Sequence, residues 1–403
     1  MTQRSRVCCA AAGFITLVLF AVPAANAQLA GFASEATKLL KKSILKDAEQ
    51  ALKLEPITVT ASPAERSGGS IHDFYSEGDY WWPDTENPGG PYVQRDGMTN
   101  PANFTAHRRA MIRFSQIIGT LASAYCLTGR EIYARHALRH LRAWFTDPET
   151  LMNPSLQFAQ AIEGRFTGRG IGIIDTIHLM EVARGIEIFA GSSLFTNELN
   201  ALTGWFRRYL QWLTTHPYGE EEKNAKNNHG TCWVMQVACF ARLTKNEAVL
   251  QMCRDRFTTV LMPGQMATDG SFPLELKRTK PYGYSLFNLD AMVMCGLLLS
   301  DQSHDLWRFK LLDGRNLERA VKFIYPYIKD KNSWPYAKDV MYWNDWPVAQ
   351  PALIFAAIRF QNARWFSTWK SLEHHPQHEE VIRNLPVRHP ILWFDLIPRS
   401  DSN

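Results

Sequence analysis

At 403 residues, 46% of them hydrophobic and 12% aromatic, the chain can bury a large core as one big domain or two. Its formal net charge of +5 comes without any long Lys/Arg run, which argues against a nucleic-acid-binding arm and suits a positively lined cleft for an acidic ligand. Thirteen Trp and thirteen Tyr are an ample supply for an aromatic-lined groove.

Arg4 and Arg6 precede the apolar run CCAAAGFITLVLFAVPAA, and Ala25-Asn26-Ala27 follows as a small-x-small cleavage pattern. Residues 1–27 therefore read as a secretory signal peptide cut near Ala27, leaving a periplasmic or secreted protein that begins near Gln28. The apolar run is short for a bilayer span, so no stable membrane association is expected after cleavage. Cys8 and Cys9 leave with the signal, whereas Cys126, Cys232, Cys239, Cys253 and Cys295 stay. An odd set within apolar helical segments, lacking any CxxC pair, reads as buried thiols and not as a zinc site or disulfide framework. An oxidising compartment leaves a bridge from Cys232 to a neighbour open.

Residues 34–53 (SEATKLLKKSILKDAEQALK) have helical spacing. The stretch 55–100 is rich in Pro, Gly, Ser and Asp and includes GDYWWPDTENPGGPYVQRDGMTNP, too Pro-broken for a helix and too aromatic for a linker. Residues 28–102 are accordingly an N-terminal helix and an aromatic Pro/Gly-rich loop packed on a main domain at 103–400. From there, segments 104–127, 131–145, 171–190, 195–215, 228–243, 246–262, 285–300, 315–329 and 347–362 place apolar residues at i, i+3, i+4 and i+7, with almost no strand-like alternation. ASAYCLTGREIYARHAL (122–138) and QVACFARLTKNEAVLQM (236–252) echo each other, each a helix ending in Leu-Thr-Gly/Lys followed at once by another helix. Repeated αα-hairpins of this kind predict an all-α fold, an incomplete α/α toroid (barrel) of stacked hairpins, with a straight solenoid as the structural alternative.

In a toroid, the loops leading into the inner helices line one face of a cavity. Polar clusters fall in four such loops: GDYWWPD, QAIEGRFTGRG (160–170), AKNNHG (225–230) and LELKRTKPYGYS (274–285). Asn227 and Asn228 at a helix N-terminus can donate amide hydrogens to a carboxylate, and Arg278 adds a fixed charge with a bidentate grip. Arg165 and Arg169 suit neighbouring acidic groups of a polymer, Gln160 shares their loop, and Tyr80, Trp81 and Trp82 offer faces for stacked sugars. Tyr284 stands six residues after Arg278, with Tyr282 two before it. Amide, arginine, imidazole and phenol together suit β-elimination from a uronic acid better than hydrolysis. Neutralising the uronate carboxylate stabilises the enolate-like intermediate, while a base takes the C5 proton and an acid protonates O4. Arg beside a Tyr can stabilise its phenolate, and His titrates near neutrality. HHPQHEE (374–380) has metal-ligand composition but no helical HxxxH spacing, and reads as a solvated tail.

These stretches carry a resemblance. YWWPDTENPGGPYVQRDG, MNPSLQFAQAIEGRFTGRGIGIIDT, AKNNHGTCW and LELKRTKPYGYSLFNLDA, in that order over roughly residues 75–345, resemble the alginate lyase superfamily of polysaccharide lyases. The resemblance implies an α/α toroid and a lyase without metal or cofactor that acts on an acidic polysaccharide, a 1,4-linked uronan such as alginate or glucuronan. Carried over, Asn228 neutralises the carboxylate and His229 assists as base or charge partner. Arg278 supports the phenol, and Tyr284 is the catalytic acid, with base work also open to it; Tyr282 lies close enough to compete. Two rivals stand beside this reading. An inverting glycoside hydrolase on the same toroid would need two opposed carboxylates, for which Asp84, Asp96, Asp175 and Glu275 are candidates. A non-catalytic uronan-binding protein would use only the aromatics and arginines. In β-D-mannuronate and β-D-glucuronate H5 and O4 lie on one side, so a single tyrosine can serve both; α-L-guluronate needs two groups. Alginate and glucuronan are not separable by these residues, since their sugars differ at C2.

Overall fold

The computed structural model describes residues 31–398, and the signal-peptide reading falls outside the described residues. In chain order the helices are α1 (Phe32–Ala51), α2 (Ala106–Thr128), α3 (Glu131–Phe145), α4 (Leu179–Phe189), α5 (Leu199–Thr215), α6 (Pro217–Lys223), α7 (Asn228–Thr244), α8 (Glu247–Arg256), α9 (Met262–Gln265), α10 (Pro273–Leu276), α11 (Pro281–Leu299), α12 (Leu317–Lys329), α13 (Pro351–Arg359), α14 (Ala363–Ser371) and α15 (Glu379–Arg383). The fold is all-α in its framework, as the 3.6-residue periodicity predicts.

The helices sort into two layers by how much of each is buried. Helices α7, α11 and α13 are buried almost all round, α2 and α4 over most of their length, whereas α5, α8, α12 and α14 bury one face. The buried helices pack consecutively, α2 on α4, α4 on α7, α7 on α11 and α11 on α13. Helices α3, α8, α12 and α14 each back the buried helix that precedes them, and α5 backs α7. The first and last of the row are bridged by α1, which touches both α2 and α13. Contacts in this order run around an open α/α ring and not along a straight stack. Large aromatics fill the space between layers: Phe114 stacks on Trp144 with centroids 4.6 Å apart, and Phe145 lies 4.6 Å from Trp205. Each such fully buried ring contributes about 2–3 kcal/mol from area alone.

The internal echo has a backbone cause. Helix α2 ends on Gly129 at φ 66°, and α7 ends on Lys245 at φ 55°, both left-handed caps that turn the chain at once into the next helix. Glycine adopts that conformation freely, whereas lysine is strained there.

The loops are more ordered than their composition suggests. β1 (Tyr75–Glu77) pairs in parallel with β4 (Phe158–Ala161), and β2 (Trp81–Trp82) pairs antiparallel with β3 (Val93–Gln94). Strands this short carry no alternation for a sequence to display. The predicted helix at 171–190 begins as a 3₁₀ segment, Gly170–Thr176, and the one at 246–262 passes through a π-turn, Phe257–Leu261. Helix α11 starts four residues earlier than the apolar pattern indicates, with Pro281 at its first position. The five cysteines are free thiols, four of them buried; Cys126 is exposed on α2, against expectation.

The two caps yield a paired test. Lys245→Gly should raise stability by about 0.5–1 kcal/mol and Gly129→Lys should lower it by about 1 kcal/mol. Urea midpoints read both, and a loss of stability in Lys245→Gly would show that its side chain matters more than its backbone.

Candidate active site

The mouth of α7 sits between two buried carboxylates. Asn227, at the N-cap position, is extended and makes no side-chain capping bond; its carbonyl accepts from Gln265 Nε2 (2.9 Å) and from the Gly230 amide (3.1 Å). A Cβ at Gly230 would press on the Ala225 carbonyl, so the turn from α6 into α7 requires glycine there. Asn228 is buried, with its backbone N–H donating to Glu275 Oε1 (2.7 Å) and its Nδ2 to Glu275 Oε2 (2.8 Å). That grip uses one amide hydrogen and leaves the second. His229 places Nδ1 2.7 Å from Glu222 Oε1, a carboxylate with no solvent exposure. The bond puts the hydrogen on Nδ1 and leaves Nε2 for a ligand. Burial disfavours the imidazolium, but the Glu222 carboxylate overrides it and holds His229 above the ordinary histidine value.

The loop between α10 and α11 supplies the other half. Arg278 is held by Asp96, with Nη2 2.8 Å from Oδ1, and Thr279 also donates to Asp96 (3.0 Å). The same Nη2 lies 3.3 Å from the Tyr284 hydroxyl, and the guanidinium carbon is 4.4 Å from the centre of that ring. Tyr284 also shares a 2.6 Å hydrogen bond with the Tyr80 hydroxyl. Burial pushes the Tyr284 phenol well above its usual value and Tyr80 adds to the rise, while Lys280 and Arg278 pull it back.

A third wall comes from the aromatic loop and the loop around β4. Trp81 lies beneath two guanidinium groups, Arg165 at 5.4 Å and Arg169 at 5.9 Å. Gln160 takes a left-handed backbone (φ 51°) in order to turn its carbonyl to Arg169 Nε (2.8 Å). Among the described residues the Arg169 guanidinium donates only to Gln160 and has no carboxylate in ion-pair contact, and burial lowers it to about 10.

Tyr80, Trp81, Gln160, Arg169, Asn228, His229, Arg278 and Tyr284 thus line one cavity of about 120 Å³. Four of the expected site residues do not join them. Tyr282 is fully buried, its hydroxyl donating to the Tyr327 carbonyl (3.0 Å) and its ring packed edge-on against Trp334; it is a core residue. Asn227 holds the turn through its carbonyl and stays outside the lining. Trp82 gives its indole N–H to the Met98 carbonyl (2.9 Å) beneath Arg95. Arg165 is exposed, tied to the Tyr92 carbonyl (2.7 Å), and reaches the cavity only through Trp81.

Sequence reasoning missed the groups behind the site. Glu222 stands in the run GEEEK, which looks like a solvated helix face, yet seven residues before His229 it turns inward. The HHPQHEE segment is no solvated tail at its end. Glu380 is buried, accepts from Lys280 Nζ (2.7 Å) and pairs with Arg383 (2.9 Å), and Arg383 and Asn384 line the cavity. The acidic hydrolase candidates are all engaged elsewhere. Asp96 holds Arg278, Glu275 holds Asn228, Asp175 accepts from Ser76 (2.5 Å), and Asp84 caps its own turn at the Glu86 amide. No two of them face each other across the cavity. Among the described residues no group of three His, Cys, Asp or Glu side chains is placed to hold a metal ion.

Comparisons with known proteins bear on the family and the fold. The crystal structure of an alginate lyase from Bacteroides ovatus is similar at 30% sequence identity and a TM-score of 0.77, over 91% of this chain and 97% of that one. A complex of alginate lyase A1-III from Sphingomonas species A1 with a tetrasaccharide shares the fold, at 18% identity and a TM-score of 0.50 over 84% of this chain and 88% of that one. No curated protein matches the chain significantly. The family model described as alginate lyase matches residues 58–334, which takes in the three walls built from the aromatic loop, the β4 loop, α7 and α11, while Arg383 and Asn384 lie beyond it. On that match and the Bacteroides likeness, the chain belongs to the alginate lyase family of polysaccharide lyases.

Proposed function

We propose that the protein cleaves a 1,4-linked polyuronate of the alginate type by β-elimination, with β-D-mannuronate as its best substrate. The observation that carries the reading is Arg278, which reaches the Tyr284 hydroxyl at 3.3 Å while lying over the phenol ring, in one cavity with Asn228 and His229. A protein that only bound sugar would have no need of a cation on a buried phenol.

The steps follow from the charges. The free Asn228 amide hydrogen and the His229 imidazolium take the substrate carboxylate, so that breaking the C5–H bond leaves an enediolate and not a bare carbanion beside a negative charge. Glu222 lifts His229 toward its charged form, which suits a charge partner and leaves proton abstraction to the phenol oxygen. Tyr284 enters the step as the phenolate, its own proton given up to solvent beforehand, and takes H5; the electron pair then expels O4, and the hydroxyl so formed gives its proton to O4, leaving a C4–C5 double bond on one fragment, a free hydroxyl on the other and the phenolate restored. A single group can do both only where H5 and O4 share a side, as in mannuronate and glucuronate. Arg169, in ion-pair contact with no carboxylate among the described residues, is suited to the carboxylate of the next sugar.

The expected outcomes fall into three groups. On polymannuronate the near-ultraviolet absorbance of 4,5-unsaturated ends should appear, whereas a hydrolase would give reducing ends without it and a binder neither. Tyr284→Phe, His229→Ala and Asn228→Ala should each lower kcat by about 10²-fold or more, non-additively. Near-wild-type turnover by folded Tyr284→Phe would overturn the assignment. Next, Tyr282→Phe should leave kcat unchanged and cost about 1 kcal/mol of stability, because its hydroxyl meets only the Tyr327 carbonyl. Glu222→Gln should instead lower kcat and move the loss of activity that follows His229 deprotonation to lower pH, since the carboxylate that raises the imidazole is gone. An unmoved pH profile would detach Glu222 from the chemistry. Third, because the carboxylate is met by side-chain donors, activity should survive exhaustive chelation; loss reversed by one divalent ion would refute this.

A further inference from the structure

Lys280 is a buried ammonium, 6% exposed, in the midst of three tyrosines. Its Nζ lies 5.1 Å from the centre of the Tyr80 ring, 5.4 Å from Tyr284 and 5.1 Å from Tyr342. Its one ion-pair partner among the described residues is Glu380 of α15, 2.7 Å away and equally buried. The first backbone bond of α11, Tyr284 N–H to the Lys280 carbonyl (3.0 Å), ties the ammonium to the phenol by a single helical turn. A full positive charge held this close to an aromatic ring out of water favours the ionised phenol over the neutral one, because the phenolate spreads its charge into the ring face.

We propose that Lys280 is a positioning residue that holds the charge of the Tyr284 phenolate during proton transfer, and that the Glu380 carboxylate sets how much of the lysine charge the phenol receives. The proposal rests on the reading of Tyr284 as the proton carrier. Other groups face the phenol as well. Arg278 approaches from the α10–α11 loop with Asp96 behind it, Tyr80 from β2's loop with Asp79 beside it, His229 from α7 and Arg383 from α15 line the same cavity, Glu275 of α10 stands behind Asn228, and Asp339 caps the first turn of α11. Arg278 is the only other cation on the ring itself among the described residues, and its charge is divided with Asp96. Lys280 and Glu380 are the two groups whose removal changes the local charge in opposite senses without touching substrate.

The test compares kcat/KM against pH for the wild type, Lys280→Met, Lys280→Arg and Glu380→Gln on polymannuronate, with folding followed by circular dichroism. On the limb that climbs with phenol ionisation, Lys280→Met should move the curve upward by about one pH unit, which is about ten-fold less activity at a fixed pH. Glu380→Gln should move the same limb to lower pH. Lys280→Arg, which keeps the charge, should stay near the wild-type position. Loosened packing would weaken both Lys280→Met and Glu380→Gln alike, so displacements of opposite sign support the proposal. No displacement, or displacement of both the same way, overturns it. If Lys280→Met does not fold, the direction taken by Glu380→Gln decides alone. Full activity in Tyr284→Phe would instead overturn the underlying assignment, so the two failures are told apart.

Discussion

Four of the donors in and beside this cavity are each held by a carboxylate of their own, and the geometry of the site depends on that pairing. An anionic sugar needs donors and positive charge, yet an isolated charge in the interior of a helical ring would be costly to desolvate. The chain resolves the conflict by giving Asn228 to Glu275, His229 to Glu222, Arg278 to Asp96 and Lys280 to Glu380. Three of these four carboxylates are almost fully buried. The pairing aims each donor and fixes its tautomer or fork orientation before substrate arrives, which is the preorganisation that electrostatic catalysis requires. Breaking one pair by removing a partner leaves a buried charge or donor alone, so each pair is more costly to break than it is stabilising to make.

Much of this was legible in the sequence, for reasons that differ by element. Helices betray themselves by a period of 3.6, and the repeated Leu-Thr-Gly and Leu-Thr-Lys endings marked two of the hairpins, because each needs a left-handed cap. Residues that face the cavity were found because they are chemically conspicuous in otherwise apolar surroundings: an Asn-His pair opening a buried helix, an Arg six residues from a Tyr. The carboxylates behind them were not, because a glutamate in GEEEK or HHPQHEE has the local composition of a surface, and only tertiary contact turns it inward. The choice between Tyr282 and Tyr284 was likewise beyond composition. Once Pro281 opens α11, the two tyrosines lie about 200° apart around one helix, so only one can face the cavity. Trp81 and Trp82 divide in the same manner on a strand, where neighbours point to opposite faces.

The opening in the helical ring explains why the C-terminal segment reaches the chemistry at all. Five buried helices do not close on themselves; α1 spans from α2 to α13, and the chain after α14 folds back across the same seam. Arg388 and His389, near its end, give their backbone amides to Glu181 of α4 (2.8 and 2.6 Å). Anchored there, α15 presents Glu380 to Lys280 and Arg383 to Asp79 (2.7 Å), and Asp79 in turn holds Arg108 of α2 (2.7 Å). Helix α2, the aromatic loop, α11 and α15 therefore meet in one buried chain of alternating charge that passes directly beneath Tyr80 and Tyr284. Because no member of that chain can shift without leaving a neighbour unpaired in a dry interior, the position of the phenol pair is set by four separated stretches of sequence at once. The phenol pair is fixed by the closure of the fold, and the α-helix on which Tyr284 sits supplies only its register.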